Sequence, residues 1–227
     1  MNISAKFWDA LANNFDEQEG RYKHAHLKTV ENAKKYLNAS DLVLDYGCAT
    51  GTTAIEVAGQ VKAIQGIDLS PKMIAAAKRR AAEQKIQNVD FAQATIFDKR
   101  LEKEAFDVIL AFGILHLLKD LLKAIQRINE LLKPGGVFVS STACMGDDKA
   151  IPTLMNRILF IPSRIGILPY LRFLKTPDLE HAITQGKFEI IETETLTFTA
   201  SPPPGQTYIV ARFIAAKKVA GNSGGNS

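Results

Sequence analysis

The segment Val43–Gly51, VLDYGCATG, carries the residues whose types and spacing most clearly predict a ligand site. Asp45 ends a short apolar run, and Gly47 and Gly51 follow it in a Gly-x-x-x-Gly spacing. Glycines at a turn from a strand into a helix let the backbone bend sharply and let a ligand approach it closely. The loop contains neither Lys nor Arg, so the carboxylate of Asp45 would repel a pyrophosphate and attract a cation.

The glycine spacing also separates this loop from two common phosphate sites. The dinucleotide fingerprint is Gly-x-Gly-x-x-Gly, and a P-loop ends in Gly-Lys-Ser/Thr. Neither pattern is present between Asp45 and Gly51. A sulfonium cofactor that carries an amino group fits the charge of Asp45 better than a dinucleotide does. A nucleotide-dependent oxidoreductase on a similar sheet stays an alternative, which the missing third glycine disfavours.

A second acid, Asp68, follows the apolar run Ala63–Ile67. A carboxylate at the end of such a strand can accept hydrogen bonds from both hydroxyls of a ribose. The alternative is structural: Ser70 and Pro71 are typical of the start of a helix, and an acid is favourable near a helix N-terminus. A glycine loop and a strand-end acid at this spacing are more specific together than either is alone.

The elements that would position these residues alternate between strand and helix. The predicted strands begin at Leu42, Ala63, Val89, Phe106 and Val137, with helices over Thr52–Gln60, Met73–Lys85 and around Leu121–Leu132. Two later strands are predicted over Phe188–Glu192 and Tyr208–Ala216, after a short helix over Asp178–Gln185, and Ser4–Leu37 is predicted to be helical with a gap. This alternation predicts a parallel sheet, whose ligands bind beyond the C-terminal ends of the strands.

Composition excludes several classes of protein. The chain has 227 residues, of which 46% are hydrophobic and 23% charged, and a formal net charge of +4. Lys and Arg are scattered, so nucleic acid is not expected as a partner. Cys48 and Cys144 form no CxxC pair and indicate no disulfide framework, which makes the cytoplasm the expected compartment. His24 and His26 have no acids or cysteines beside them, so no metal site is predicted.

Four segments occur in an order that is more specific than any one of them. They are Val43–Gly51, Ile67–Ser70 with Met73 and Ile74, Phe106–Leu110 with Leu115 and His116, and Leu131–Gly136. In this order they resemble class I S-adenosylmethionine-dependent methyltransferases of the small-molecule, menaquinone/ubiquinone type. The resemblance implies an α/β fold with a doubly wound, mostly parallel, seven-stranded Rossmann-like sheet, helices on both faces and an antiparallel final strand.

The resemblance also implies S-adenosyl-L-methionine as the cofactor and assigns residues to it. The loop beside the methionine part comprises Asp45, Gly47, Cys48, Ala49, Thr50 and Gly51. Asp68 would hold the ribose, and Phe112 would lie near the methionine end. The residues expected around the adenine are Leu69, Met73, Thr95 and Ile96, and Tyr22 could close over the cofactor or pack on the core.

Two positions depart from the family pattern. Where the family commonly has a glycine in the middle of the loop, this chain has Ala49. A methyl group there costs little free energy if φ is negative, but it crowds the loop if φ is positive. Where the family often has an acidic residue after the third strand, this chain has Thr95. The hydroxyl of Thr95 can still make one hydrogen bond. These departures motivate an alternative function, a catalytically silent cofactor-binding scaffold or partner subunit.

His116 is the candidate general base because it comes directly after the fourth strand. Its alternative role is to pack against or cap the next helix. Cys48 is expected to be a small buried residue rather than a nucleophile. The Asn/Asp-Pro-Pro-Tyr/Phe signature of enzymes that methylate amino groups in nucleic acids is absent after this strand, where Ala111–Ile114 stands.

The domain is expected to span residues 1–220, with a helical cap over 1–40 and a flexible tail over 221–227. Residues 145–185 would form an insertion that shapes the acceptor site, and the segment is rich in Ile and Leu with interleaved Arg. This composition predicts a small, apolar or aromatic acceptor, with possible peripheral membrane contact through residues 151–175. The alternative is a pair of helices that packs on the sheet.

Overall fold

A computed structural model describes residues 3–12, 15, 23–147, 170–197 and 210–219. Its strands, numbered in chain order, are β1 (Leu42–Tyr46), β2 (Ala63–Asp68), β3 (Val89–Gln93), β4 (Phe106–Phe112), β5 (Leu132–Ala143), β6 (Phe188–Thr197) and β7 (Val210–Lys218). They form one sheet in the order β3-β2-β1-β4-β5-β7-β6. The first five strands pair in parallel, whereas β7 is antiparallel to both β5 and β6. The predicted sheet with an antiparallel final strand is confirmed.

Helices cover both faces of this sheet. They are α1 (Ile3–Leu11), α2 (Lys23–Lys34), α3 (Thr52–Val57), α4 (Pro71–Glu83), α5 (Leu121–Leu131) and α6 (Thr176–Gln185). One apolar core joins α5 and α6 to the sheet, and a second core joins α2, α3 and α4 to it. Because both faces are covered, the central strands are near-continuous apolar runs, as in β4.

Side-chain caps begin two of the helices that leave the ligand edge of the sheet, α4 and α5. The hydroxyl of Ser70 accepts a hydrogen bond from the backbone N–H of Met73 at 3.1 Å, and Pro71 occupies the first turn of α4. Asp120 caps α5 in the same way by accepting from the N–H of Lys123. The Ser-Pro signal therefore places the start of α4 directly after the end of β2.

The observed β5 is longer than the predicted strand, which begins at Val137. Leu132 already pairs with Phe106, and the register then shifts before Val108 pairs with Val137. Gly135 has a φ of 77°, which lets the chain bulge between the two paired stretches. The Lys-Pro-Gly-Gly turn at residues 133–136 is thus an irregularity within the strand rather than a loop before it.

The last strands also differ from their predicted bounds. β6 continues to Thr197 because its polar half pairs along β7, and mainly Leu196 of that half faces the core. A polar edge strand lacks the apolar run that marks a buried strand, so its second half carries no sequence signal.

In the predicted helical cap, α1 and α2 are separate helices.

Some predictions fall on residues outside the described ranges. Residues 148–169, which make up most of the predicted insertion, lie outside the described ranges. The same is true of most of the predicted membrane contact at 151–175 and of the tail at 221–227. Among the described residues, no helix combines the length and apolar character needed to span a bilayer.

Candidate functional site

A cavity of about 500 Å³ opens at the C-terminal ends of β1, β2 and β4. This volume suits a cofactor-sized ligand. Asp45, Asp68 and Phe112 lie at those three strand ends and line it. Among the described residues of its wall there are two carboxylates and two histidines, but no Lys or Arg. The described part of this wall therefore carries acidic groups that can attract cationic groups of a ligand.

The glycine loop forms the floor of the cavity through its own backbone. The N–H groups of Gly47 and Cys48 both donate to the carbonyl oxygen of Ile67, at 2.8 and 3.1 Å. These bonds turn the chain sharply at the end of β1 and hold it against the end of β2. Gly47 has a φ of 78°, and a Cβ there would lie 2.5 Å from the Cδ1 atom of Ile114. Glycine at this position therefore keeps the cavity wall open.

Ala49 adopts the left-handed conformation, with a φ of 47°. At positive φ the methyl group of Ala49 crowds the loop, which is the less favourable of the two cases considered for this position. Its N–H donates to Oδ2 of Asp68 at 3.2 Å, so the conformation is held by the next strand.

The second half of the loop is anchored away from the cavity. Nη1 of Arg80 donates to the carbonyl oxygen and hydroxyl of Thr50 and to the hydroxyl of Thr52 at 2.8 Å. Gly51 has a φ of 81°, and a Cβ there would lie 2.7 Å from the ring of Phe91. Thr50 and Gly51 do not line the cavity; the structure places them in the turn that supports it.

Asp68 makes the contact predicted for the start of a helix, and it also lines the cavity. Its Oδ1 accepts from the N–H of Ser70 at 2.8 Å, while Oδ2 accepts from Ala49, and the side chain still lines the cavity. Burial raises the pKa of the Asp68 carboxyl above its ordinary value, and the hydrogen bonds from Ser70 and Ala49 act in the opposite direction. The carboxylate is thereby fixed in orientation at the edge of the cavity.

The residues predicted around an adenine divide into two groups. Leu69, Met73 and Thr95 line the cavity. Ile96 is fully buried in the core instead, because the chain turns inward after Thr95. Tyr22 lies outside the described residues.

His116 lies in a short 3₁₀ helix, Leu115–Leu117, that follows β4, and its ring lines the cavity. Its Nδ1 atom is buried and has no hydrogen-bond partner in the described part of the chain. Burial lowers the pKa of His116 to about 4, so the imidazole is neutral near pH 7. The backbone N–H of Arg172 donates to the carbonyl oxygen of His116 at 2.8 Å and fixes the turn.

Cys48 also borders the cavity, yet its thiol is buried. Burial raises the pKa of the Cys48 thiol well above its ordinary value, with the carboxylates of Asp45 and Asp68 acting in the same direction. The thiol stays protonated, which favours the packing role over a nucleophilic one.

The far wall of the cavity comes from residues that the sequence did not single out as a site. Ser4, Trp8 and Phe15 reach it from the N-terminal region, and His26 and Thr29 reach it from α2. Further wall residues are Gly113, Ile114, Leu117, Leu118, Ser141 and Ala143. The helical spacing of Trp8 and Phe15 was visible, but it is equally typical of packing on a core.

Hydrogen bonds hold this wall to the rest of the molecule. The hydroxyl of Thr29 donates to that of Ser141 on β5 at 3.3 Å, and Nε2 of His26 lies 3.0 Å from Oε2 of Glu56 on α3. In the described ranges, no three His, Cys, Asp or Glu side chains come together as a metal site would require.

Residues 37–191 match the family model described as a methyltransferase domain, and the chain belongs to this family. An uncharacterized methyltransferase, YcgJ of Bacillus subtilis, is 27% identical over 140 residues, which are 62% of this chain and 53% of that protein. A ubiquinone biosynthesis O-methyltransferase of Nitrosococcus oceani is 26% identical over 94% of this chain and 91% of its own length. The chain therefore spans about half the length of the first relative and nearly all of the second.

Solved structures share the fold. The crystal structure of YcgJ superposes with a TM-score of 0.72 at 19% identity over 86% of this chain and all of that chain. A geranyl diphosphate C-methyltransferase of Streptomyces coelicolor, solved with S-adenosyl-L-homocysteine, gives 0.69 at 16% identity over 86% and 79%. The [4+2]-cyclase SpnF gives 0.69 at 21% identity over 86% and 82%. At these identities the likeness establishes the fold alone.

Proposed function

We propose that this protein is an S-adenosyl-L-methionine-dependent methyltransferase that acts on a small, apolar or aromatic molecule. The observation that carries the proposal is the cavity at the ends of β1, β2 and β4, where the glycine loop and Asp68 face the same space. Membership of the methyltransferase-domain family supports the reaction class. The names of the relatives and of the geranyl diphosphate enzyme support a small-molecule acceptor.

The residues of the cavity fit this cofactor. The carboxylate of Asp68, held by two backbone N–H groups, would accept from the ribose hydroxyls with its remaining lone pairs. Leu69 and Met73 would provide apolar contacts for the adenine, and Asp45 at the end of β1 would favour the positive charges of the methionine part. The cofactor supplies an activated methyl group on a sulfonium, so the protein mainly has to align the acceptor with it.

The acceptor would lie between the glycine loop and the wall formed by α1, α2 and the turn after β4. Trp8, Phe15 and Phe112 give this part of the cavity aromatic surfaces, and Ile114 and Leu117 add aliphatic ones. His116 is our candidate catalytic residue here, since its neutral ring can accept or donate a hydrogen bond. A weakly basic imidazole suits orientation of a hydroxyl better than complete removal of its proton.

Calorimetry with S-adenosyl-L-methionine tests the cofactor assignment directly. We expect one molecule to bind per chain, and NAD under the same conditions to give no heat of binding. No binding of S-adenosyl-L-methionine at millimolar concentration would refute the proposal. Tight binding without methyl transfer to any member of an acceptor panel would favour the scaffold alternative, which the strained Ala49 motivates.

A further inference from the structure

The N-terminal helix α1 borders the cavity but lies outside the apolar interior of the domain. Its residues Ser4 and Trp8, one turn apart, line the cavity. No described side chain of α1 belongs to either of the two apolar cores. Among the helices and strands of the described ranges, α4 is the element that α1 contacts most extensively. A surface helix usually buries its apolar stripe in a core, whereas this helix directs Trp8 towards a ligand-sized space.

A buried carboxylate fastens α1 to the start of α4. Asp9 is only 8% exposed, and its Oδ1 accepts from the hydroxyl of Ser70 and from the backbone N–H of Lys72, the latter at 3.2 Å. Both donors belong to the N-terminus of a 13-residue helix, where a negative charge is favourable. Ala5 lies one turn before Asp9 and is also buried. One stripe of α1 is therefore packed away, while the neighbouring stripe faces the cavity.

Ser70 connects this contact to the carboxylate that we assign to the ribose. The backbone N–H of Ser70 donates to Oδ1 of Asp68 at 2.8 Å, while its hydroxyl donates to Asp9. The same hydroxyl accepts from the N–H of Met73, which lines the cavity. A movement of α1 that breaks the bond between Asp9 and Ser70 therefore acts on the residue that orients Asp68.

Aromatic contacts extend the cavity-facing stripe of α1. The ring of Trp8 meets the ring of Phe7 at 5.2 Å and that of Phe15 at 6.5 Å between centroids, both edge to face. Phe15 also lines the cavity. A ligand in this space would remove further apolar surface of Trp8 from water, so a bound cofactor would stabilise α1 in this position.

We propose that α1 is a lid on the cofactor cavity and that Asp9 is the positioning residue that holds this lid closed through Ser70. This inference rests on the proposed function. With the bonds of Asp9 in place, Trp8 lies over the cofactor. When they break, α1 leaves α4 and the cavity opens for exchange of S-adenosyl-L-methionine and S-adenosyl-L-homocysteine. Opening separates α1 from α4 without disrupting either apolar core, which keeps its free-energy cost small.

The lid carries its own probe, because Trp8 is the single tryptophan of the chain. In stopped-flow mixing of the full chain with S-adenosyl-L-homocysteine, we expect binding to change the emission of Trp8. In Asp9→Ala the dissociation rate constant rises about tenfold and the association rate constant about threefold, because the closed position is no longer held. Asp9→Asn keeps an oxygen that accepts from Ser70 and Lys72, so both rate constants change less than about twofold.

Two controls complete the design. Lys6→Ala, at an exposed position of α1, leaves both rate constants unchanged. Calorimetry with S-adenosyl-L-homocysteine gives an affinity about threefold weaker for Asp9→Ala, as the ratio of its rate constants requires.

Hydrogen exchange tests the lid without any substitution. In the unaltered protein, the amides of α1 become better protected when S-adenosyl-L-homocysteine binds, whereas those of α6, which does not line the cavity, stay the same. Unchanged protection of α1 would overturn the inference.

An unchanged dissociation rate constant in Asp9→Ala would also overturn it, as would equal effects of Asp9→Ala and Asp9→Asn. Slower association in Asp9→Ala would assign Asp9 a purely structural role, because a disordered site binds more slowly and an opened one does not. If calorimetry detects S-adenosyl-L-homocysteine while the emission of Trp8 stays constant, the inference fails and the cofactor assignment stands. Absence of binding in calorimetry would overturn the proposed function as well.

Discussion

The two halves of the cavity are built in different ways. The half that we assign to the cofactor is made by backbone turns at adjacent strand ends, with the N–H groups of residues 47–49 tied to Ile67 and Asp68. The acceptor half is made by side chains from α1, α2, the turn after β4 and the end of β5. The half made by backbone turns requires particular residue types at only a few positions. The half made by side chains can change its ligand specificity when those side chains are substituted.

The largest effect is expected from Asp68→Ala in the cofactor half. The substitution removes a charged acceptor from the ligand and from the N–H groups of Ala49 and Ser70. We expect the affinity for S-adenosyl-L-homocysteine to fall roughly 100-fold, or about 3 kcal/mol, by calorimetry. Asp90→Ala, at an exposed position of β3, is the control and leaves the affinity unchanged. An unchanged affinity in Asp68→Ala would remove the ribose assignment.

A pH titration of stability examines the acceptor half. The pKa of His116 falls from its ordinary value of 6.5, which applies to the unfolded chain, to about 4 in the folded protein. Between these pH values the unfolded chain binds more protons, so the free energy of unfolding falls as the pH falls from about 6.5 to about 4. The contribution from His116 is up to about 3 kcal/mol. Chemical denaturation at several pH values should show a weaker pH dependence for His116→Gln than for the unaltered chain.

His181→Gln provides the control for this titration, because His181 is exposed on α6. It is expected to keep the pH dependence of the unaltered protein. Identical pH dependence in the unaltered protein and in His116→Gln would mean that His116 is not held neutral by burial.

These two halves also differ in how far the sequence predicts them. Asp45, Gly47 and Asp68 follow apolar strands, and the parallel sheet brings such strand ends together, so local patterns suffice to place them at one cavity. The parallel arrangement of the first five strands was predictable from the same patterns, whereas the seven-stranded sheet with its antiparallel final strand was implied by the family resemblance. His26 and Trp8 reach the cavity only through the packing of α2 and α1, and a helical spacing gives no sign of which packed face borders a ligand.

The sequence also failed to separate supporting residues from lining ones. Thr50, Gly51 and Ile96 lie in the right segments, but the first two support the loop and Ile96 packs in the core. One residue along a turn decides whether a side chain faces the cavity or the core, and motif spacing does not specify that direction.

Gly51→Ala tests whether the glycine loop of the cofactor half is closely packed. The added Cβ would lie 2.7 Å from the ring of Phe91, which is almost fully buried, and the φ of 81° disfavours any side chain. We expect the free energy of unfolding to fall by about 2 kcal/mol, measured by chemical denaturation. Gly59→Ala, where nothing lies within 4 Å of the new Cβ, should change it by less than about 1 kcal/mol. Equal effects at the two positions would contradict a closely packed loop.

The smallest effect is expected from Ala49→Gly. Glycine relieves the left-handed conformation of residue 49 but loses more conformational entropy on folding, so the two terms nearly cancel. We expect a gain in stability of about 0.5 kcal/mol in thermal or chemical unfolding. Ala82→Gly, at an exposed position of α4, has the opposite sign and costs about 1 kcal/mol. A comparable loss at residue 49 would mean that its backbone is not strained.

The central claim is that the strand-end half of the cavity holds the cofactor and the helical half faces the acceptor. A crystal structure of the complex with S-adenosyl-L-homocysteine tests it most directly. We expect the ribose hydroxyls within hydrogen-bonding distance of the Asp68 carboxylate, the adenine against Met73, and the sulfur directed towards the space between His26 and His116. A ligand bound elsewhere, or one whose sulfur points away from both histidines, would contradict the account.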